Sequence, residues 1–339
     1  MNQLRLDPLS GRWIAVSTER LSAKNVFLPR RPLPRNQRAN CPFCPGHERL
    51  TPEPLRVYER DGHWIVRVVP NTHPAFEGDA PFVVDHRGPV FTEAPASGTH
   101  EVVVFGPDHD LPWSGFDDAQ AALVMRAICD RTEVHQGTPG LRYSQAIVNS
   151  GREAGSTIEH AHGQLLGIPF VPRELVDEQG SFTRFAGGCL LCTATASEER
   201  VGYRVVESEA NAITLAPYWS GTPYEMLVVP RGHEAHLHRA EEADLFGVGT
   251  AVRSALSALR ARLGDVAYNV VFHSAPYRAT APYHWHVHVL PKLTTRAGFE
   301  LGTGVYINVI APERAAAELR DALEHAEAER AQAGDAAAS

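Results

Sequence analysis

The chain has 339 residues, enough for two ordinary domains or one duplicated unit. An apolar share of 43% and a charged share of 21% fit a packed core, and no run of 18 or more apolar residues predicts a membrane span. A net charge of −8 argues against a nucleic-acid surface, which needs clustered Lys and Arg, but leaves room for a small phosphorylated ligand.

The N-terminal stretch "MNQLRLDPLSGRW" lacks the apolar core of a secretory leader, so a cytoplasmic chain is expected. The proline-rich run "VFLPRRPLPRNQRANCPFC" reads as an extended arm leading into Cys41-x-x-Cys44. "HEVVVFGPDH" is an apolar strand pattern that runs into a turn and His109. "DDAQAALVMRAICDRTEVHQ" carries apolar residues at helical spacing behind acidic ones, and Cys129 within it reads as a buried, inert thiol. "RYSQAIVNSG" and "HAHGQLLGIP" read as strands on either side of a glycine-bearing loop, and residues 171–188 as a link.

The same order then recurs. "CLLC" supplies Cys189 and Cys192, and "YEMLVVPRGH" is a strand ending at His233. "EEADLFGVGTAVRSALSALRARLG" is a helix, while "AYNVVFHSAP" and "HWHVHVLPKL" are the closing strands. His109 and His160 lie 51 residues apart, as do His233 and His284. That equality, together with both C-x-x-C pairs, marks an internal duplication. In this register His273 stands where the first half has Asn149, each 11 residues before its paired histidine. The predicted fold class is α+β, two units that are each an antiparallel sheet with one long helix. The units span residues 1–172 and 173–313, and residues 314–339 form a charged helical tail that frays into a disordered end.

Without a leader, the C-x-x-C pairs read as metal ligands rather than disulfides. Zinc takes four tetrahedral Cys and His ligands. Cys41, Cys44, His109 and His160 supply one set, and Cys189, Cys192, His233 and His284 the other. All four ligands come from the protein, so each ion is structural and stabilises the fold by on the order of 10 kcal/mol. A zinc ribbon sharing one ion would separate its pairs by about 15–20 residues; here the separation is 148. A redox role fits less well, because neither pair is expected to open a helix in a βαβ unit.

Alternate residues of a strand share a face, so His160, His162 and Gln164 point the same way. With His160 on zinc, a free imidazole at His162 beside an amide donor suits attack on phosphorus. Gln164 can donate to a non-bridging oxygen as charge develops. The alternative makes His162 a third metal ligand or a buried, satisfied histidine. Upstream, Asn149, Gly151, Gly155, Ser156 and Thr157 offer backbone amides and polar groups suited to phosphate. In the second half His284, His286 and His288 share a face. His286 and His288, with His273 and with Glu178 from the link, form an alternative second metal set. The competing and preferred reading is a degenerate copy of the active strand, without the Gln and the glycine loop, so that one half does chemistry and the other is scaffold.

These residues resemble the galactose-1-phosphate uridylyltransferase family, within the histidine-triad superfamily, over nearly the whole chain from "RLDPLSGRWIAVSTER" to "GFELGTGVYIN". "HAHGQ" is similar to the family's H-P-H-x-Q strand, with Ala161 in place of proline. The resemblance implies that His162 takes the nucleoside monophosphate and that Gln164 steadies the intermediate. "CPFC", "GPDH" and His160 are similar to the family's structural zinc site. "RVVPNTHPAF" is similar to its nucleoside-contacting segment, which implies a base or ribose role for Asn71. "VNSGREAGST" is similar to its phosphate loop, which carries over Asn149, Gly155 and Thr157, and "STER" implies a phosphate contact from Arg20. Where the family often has a second basic residue, this chain has Ala23 followed by Lys24, and the family's hexose-recognition segment is not evident. "GFELGTGVYINVIAPE" and the second zinc set resemble the ADP-glucose phosphorylase branch. Gln164, Glu178, His273, His286 and His288 resemble the uridylyltransferase branch, whose second site holds iron or zinc. The resemblance also implies a homodimer with the site near the subunit boundary, a role suited to the arm at residues 25–40.

The expected function is a ping-pong nucleotidyltransferase acting on a nucleoside diphosphate hexose, first of all UDP-glucose with hexose 1-phosphate as acceptor. The alternative within the family is an ADP-glucose phosphorylase that uses inorganic phosphate. Neither step demands a catalytic metal, because the leaving phosphate is a good one. His162 must be neutral to attack, so activity is expected to fall as pH drops below its pKa. From other classes come a metallohydrolase with its metal on the HWHVH strand and a non-catalytic, zinc-stabilised binding protein.

Overall fold

The computed structural model describes residues 2–18, 27 and 38–338, with side chains as far as 328. Arg20, Ala23, Lys24 and most of the arm at residues 25–40 lie outside the described residues. In chain order the first half contains β1 (Gln3–Leu6), β2 (Trp13–Val16), β3 (Arg56–Arg60), β4 (His63–Pro70), the hairpin β5 (Asp85–Arg87) and β6 (Phe91–Glu93), β7 (Thr99–Val104), α1 (Asp118–Gly137), β8 (Tyr143–Ser150) and β9 (His162–Ile168). After α2 (Arg173–Arg184) and α3 (Leu190–Val201) come β10 (Val205–Ser208), β11 (Ala212–Leu215), β12 (Met226–Pro230), α4 (Glu242–Leu263), β13 (Tyr268–His273) and β14 (His286–Pro291). The chain closes with α5 (Gly298–Thr303), β15 (Tyr306–Asn308) and α6 (Pro312–Ala338).

Among the described residues, ten strands form one antiparallel sheet in the order β10-β11-β12-β14-β13-β8-β9-β7-β4-β3. Five strands come from each half, and β8 and β13 meet at the centre. An offset of 124 residues carries His109 onto His233 and His160 onto His284. The same offset separates Ile147 from Val271, which face each other across the central pair. A local two-fold axis therefore passes between these two residues, and the sequence duplication becomes a symmetric sheet.

The period of two along each strand sorts side chains into layers. Val103, Phe105, Val148 and Leu165 face α1 and α4, where Val124, Ile128, Val248 and Leu256 complete the main core. Each fully buried side chain of this size contributes about 1.5–3 kcal/mol. The Asp117 carboxylate caps α1 by accepting from the Gln120 N–H at 2.7 Å. On the other sheet face Tyr143 and Ile168 pack with Leu175 and Phe182 of α2. Cys41, Phe43, Cys44, Val69, Val102 and Val104 form a smaller cluster there. A second sheet, β1-β2-β15, ties the N-terminal strands to the C-terminal segment, and Arg5 clamps Glu313 at 3.0 Å. No helix among the described residues is long and apolar enough to cross a membrane.

The segment expected as a plain link is instead mostly helical. In α2, Leu175, Glu178, Ser181 and Phe182 are buried at spacings of three and four. Two apolar residues suffice to dock it because the face also buries polar groups, which an apolar periodicity does not register. "CLLC" also departs from expectation: Cys189 caps α3, its sulfur accepting from the Cys192 N–H at 3.4 Å. The helix begins inside the C-x-x-C pair, with Cys192 in its first turn, but stands outside any βαβ unit. Cys129 is buried in α1 as expected, and burial pushes its thiol up to about 11.

Gly163 separates His162 from Gln164 on β9. A Cβ there would lie 2.8 Å from the Phe105 ring and 3.1 Å from the Ile147 carbonyl oxygen. Phe105 is fully buried against Trp113, so the ring has little room to yield. Gly163→Ala is expected to lower unfolding free energy by about 1–3 kcal/mol, read from urea denaturation. An unchanged midpoint would refute this.

Candidate active site and metal centres

His160, just before β9, and His162, its first residue, have rings in opposite tautomers. His160 donates its Nε2–H to the Gly106 carbonyl at 2.7 Å, which leaves Nδ1 bare toward the cysteines. His162 donates its Nδ1–H to the His160 carbonyl at 2.8 Å, which leaves Nε2 bare. Burial lowers the pKa of His162, so its neutral form dominates at pH 7. The Phe43 ring, between the two cysteines of "CPFC", packs 5.1 Å from the His162 ring.

His160 Nδ1 is 3.6 Å from both Cys41 Sγ and Cys44 Sγ, and His109 Nδ1 is 3.3 Å from Cys44 Sγ. Zinc bonds of about 2.3 Å to sulfur and about 2.0 Å to nitrogen, at a tetrahedral angle, put S and N about 3.5 Å apart. The residues present thus fit a zinc ion. In the second set, His284 Nδ1 lies 3.6 Å from Cys189 Sγ and 3.4 Å from Cys192 Sγ, and His233 Nδ1 lies 3.5 Å from Cys192 Sγ. His284 Nε2 is held by the Pro230 carbonyl at 3.2 Å, the same device as in the first half. Burial pushes Cys44 up to about 11 and Cys192 up to about 12, so a cation is needed to hold their thiolates near pH 7.

A third group assembles Glu178, His273, His286 and His288, with donor atoms all within 4.8 Å of one another. Sequence reading posed this set and the Cys189 set as alternatives, but the structure brings both together from different residues. It also departs from a merely degenerate second strand. His286 repeats the His162 device, its Nδ1 donating to the His284 carbonyl at 2.9 Å. The 124-residue offset places His286 on His162, His273 on Asn149 and His288 on Gln164. The second half thus gathers a metal-type cluster where the first half has its H-x-H-x-Q strand. The deciding group is Glu178, which α2 delivers from the link, hydrogen-bonded to His273 Nδ1 at 2.9 Å and to the Tyr283 hydroxyl. The Nε2 atoms of His286 and His288 are buried without a partner among the described residues. One carboxylate and three imidazoles suit iron(II) or zinc.

Around His162 lies a cavity of about 670 Å³ whose lining includes Asn149, Ser156, His160, Arg260 and Lys292. Asn149 Oδ1 accepts from Asn269 at 2.7 Å, so its NH2 end is available to a ligand, and it lies 3.9 Å from where a Gly155 Cβ would stand. Gly151 and Gly155 have φ of 85° and 92°, which other residues adopt only with strain. Ser156 departs from its expected role as a donor: its hydroxyl hydrogen goes to the Ile158 carbonyl at 2.8 Å and braces the loop. Thr157 is exposed on the same loop. Asn71 sits beyond β4 with Oδ1 accepting from the His73 N–H at 2.8 Å. Gln164 Oε1 meets the ring of His100, a residue that sequence reading took only as part of a strand. Phe43 and Tyr283 were likewise not singled out. Phe43 sits inside a ligand pair and Tyr283 precedes His284, so proximity to the motifs was their only sequence signal.

Fold and site together define a nucleotidyltransferase built on two repeated α+β units. A family model described as galactose-1-phosphate uridyl transferase, N-terminal domain, matches residues 1–172, and a domain of unknown function (DUF4921) matches residues 117–337. The chain belongs to the galactose-1-phosphate uridylyltransferase family. It is 29% identical to an ADP-glucose phosphorylase of Arabidopsis thaliana, over 94% of this chain and 92% of that protein. It is 28% identical to a galactose-1-phosphate uridylyltransferase of Thermotoga maritima, over 95% and 98%. A crystal structure of an Arabidopsis thaliana ADP-glucose phosphorylase with bound ADP-glucose superposes with a TM-score of 0.81 at 26% identity, covering 94% of this chain and 98% of that one. A uridylyltransferase structure gives 0.73 at 25%, covering 96% and 99%.

Proposed function

We propose that His162 Nε2 attacks the α-phosphorus of a nucleoside diphosphate hexose and expels hexose 1-phosphate. A second hexose 1-phosphate then attacks the nucleotidyl-histidine and frees the ring. The observation that carries this reading is the 2.8 Å bond from His162 Nδ1 to the His160 carbonyl, which leaves Nε2 unprotonated on a residue that lines a ligand-sized cavity. Asn149 would hold a phosphate oxygen, while the N–H groups of Ala154, Gly155 and Ser156 donate within the loop and set its shape. Asn71 and Arg20 keep the nucleoside and phosphate roles that the family pattern gives them, Gly155 and Thr157 remain loop contacts, and Ser156 shapes the loop. UDP-glucose is the proposed donor, supported by relatives named galactose-1-phosphate uridylyltransferase. A second reading, ADP-glucose phosphorolysis, is supported by the TM-score of 0.81 with the ADP-glucose-bound structure.

Intact mass spectrometry without acceptor tests both. A uridylyl adduct after UDP-glucose, discharged by galactose 1-phosphate, is the expected outcome. An adenylyl adduct discharged by inorganic phosphate selects the second reading, and no adduct with any donor sinks both.

All three donor sets belong to this proposal as structural sites, zinc in the two Cys2His2 sets and iron or zinc in the third. A metallohydrolase needs an open coordination position, whereas the third set offers four protein donors with Glu178 and His286 buried. Elemental analysis of the purified chain is expected to give three ions, with Cys192→Ala and His288→Ala each losing a different one. If either substitution removes both, the sets are not independent. A homodimer is part of the same reading, supported by exposed apolar residues Phe82, Val83, Val90 and Phe91 near the β5–β6 hairpin.

A further inference from the structure

A glutamine amide has nearly the same shape at both ends and opposite chemistry. Only its NH2 end donates to a phosphoryl oxygen, so a device that sets its orientation acts on the reaction. Gln164 Oε1 lies 2.8 Å from His100 Nε2. His100 stands on β7 on the same face as Val102 and Val104, which pair with Gln164 and His162. Its other nitrogen, Nδ1, is 3.1 Å from the Ala75 backbone nitrogen. A backbone N–H can only donate, so Nδ1 is the bare nitrogen and Nε2 carries the hydrogen. Asn71 Nδ2 also approaches His100 Nε2, at 3.1 Å. Because Asn71 Oδ1 accepts from His73, the end facing His100 is itself a donor and cannot take that hydrogen. Gln164 Oε1 is the acceptor.

We infer that His100 is a positioning residue for nucleotidyl transfer. By donating to Gln164 Oε1 it commits the Gln164 NH2 group to the phosphoryl oxygens beside His162. The inference rests on the reading of His162 as nucleophile. It also joins two segments of the site, because the Ala75 N–H that sets the His100 tautomer belongs to "PNTHPAF", the segment proposed to contact the nucleoside. A backbone that shifts there releases Nδ1 and frees the amide to flip.

The test is a double-mutant cycle on the full chain, reading the single-turnover rate of adduct formation by intact mass with UDP-glucose or ADP-glucose. His100→Phe keeps a planar ring and removes the donor; His100→Ala replaces it in the cycle if the Phe variant does not fold. Gln164→Ala and the His100 variant are each expected to slow adduct formation by about 10- to 100-fold. In the Gln164→Ala background the His100 substitution is expected to change the rate by less than about threefold. His100→Gln, which restores an N–H donor, recovers part of the loss. Equal slowing by the His100 substitution with and without Gln164 would overturn the inference while leaving the nucleophile in place. Absence of any adduct on the unsubstituted chain would overturn the underlying reading instead.

Discussion

His162→Ala is expected to abolish turnover, with kcat reduced by at least about 10⁴-fold, the scale seen when a covalent nucleophile is removed from its catalytic set. In the proposed mechanism the ring carries the nucleotidyl unit between two sugar phosphates, so its loss removes the covalent route. The substitution should leave the fold and the first Cys2His2 set intact, because His160 faces the cysteines through its own Nδ1 and is held by its own Gly106 hydrogen bond. Measured together, the variant should show unchanged metal content, no adduct and no exchange. Retained adduct formation in His162→Ala would move the nucleophile elsewhere in the chain.

The second large effect concerns the first Cys2His2 set, proposed to hold zinc. All four of its residues are buried, whereas in the second set both cysteines are half-buried and His233 is exposed. Removing a ligand from the buried set leaves a desolvated thiol, two orphaned imidazoles and no ion. Cys41→Ala is expected to cost several kcal/mol of the on the order of 10 kcal/mol that such a site supplies. It should also impair chemistry, because the His160 carbonyl fixes the tautomer of His162 and Phe43 packs on its ring. Cys189→Ala, at the more exposed site on the far half, should lose one ion and some stability yet still form the adduct. The readouts are thermal unfolding, elemental analysis and adduct mass. Equal loss of adduct in both variants would contradict the link between the first Cys2His2 set and His162.

Much of this site was legible before any coordinate. The repeat of 51 residues required only that the helix, strand and loops between the paired histidines keep their total length in both halves, and length is written directly in sequence. The two cysteine sets followed from ligand chemistry at fixed spacing. The H-x-H-x-Q pattern placed His162 and Gln164 on one face because a strand alternates, while His160 falls just before the strand begins. The third cluster was legible only as a set of candidates. His273, His286 and His288 sit on two adjacent strands, but the carboxylate that completes them comes from a helix whose buried face is half polar. Ser156 was misjudged for a related reason. A hydroxyl in a tight loop can satisfy its own backbone, and composition does not reveal which acceptor lies nearer.

The sequence by itself determined the duplication, the α+β class and which residues gather into each Cys/His group, since each depends on chain-local periodicity or on residue chemistry. Tertiary structure alone decided that the halves join through β8 and β13 into one ten-stranded sheet, that Glu178 closes a third cluster, and that His100 meets Gln164. The hydrogen bonds among those contacts link residues 64 to 120 positions apart. They exist because strand pairing and helix docking bury apolar faces together, a global packing result that no local pattern encodes.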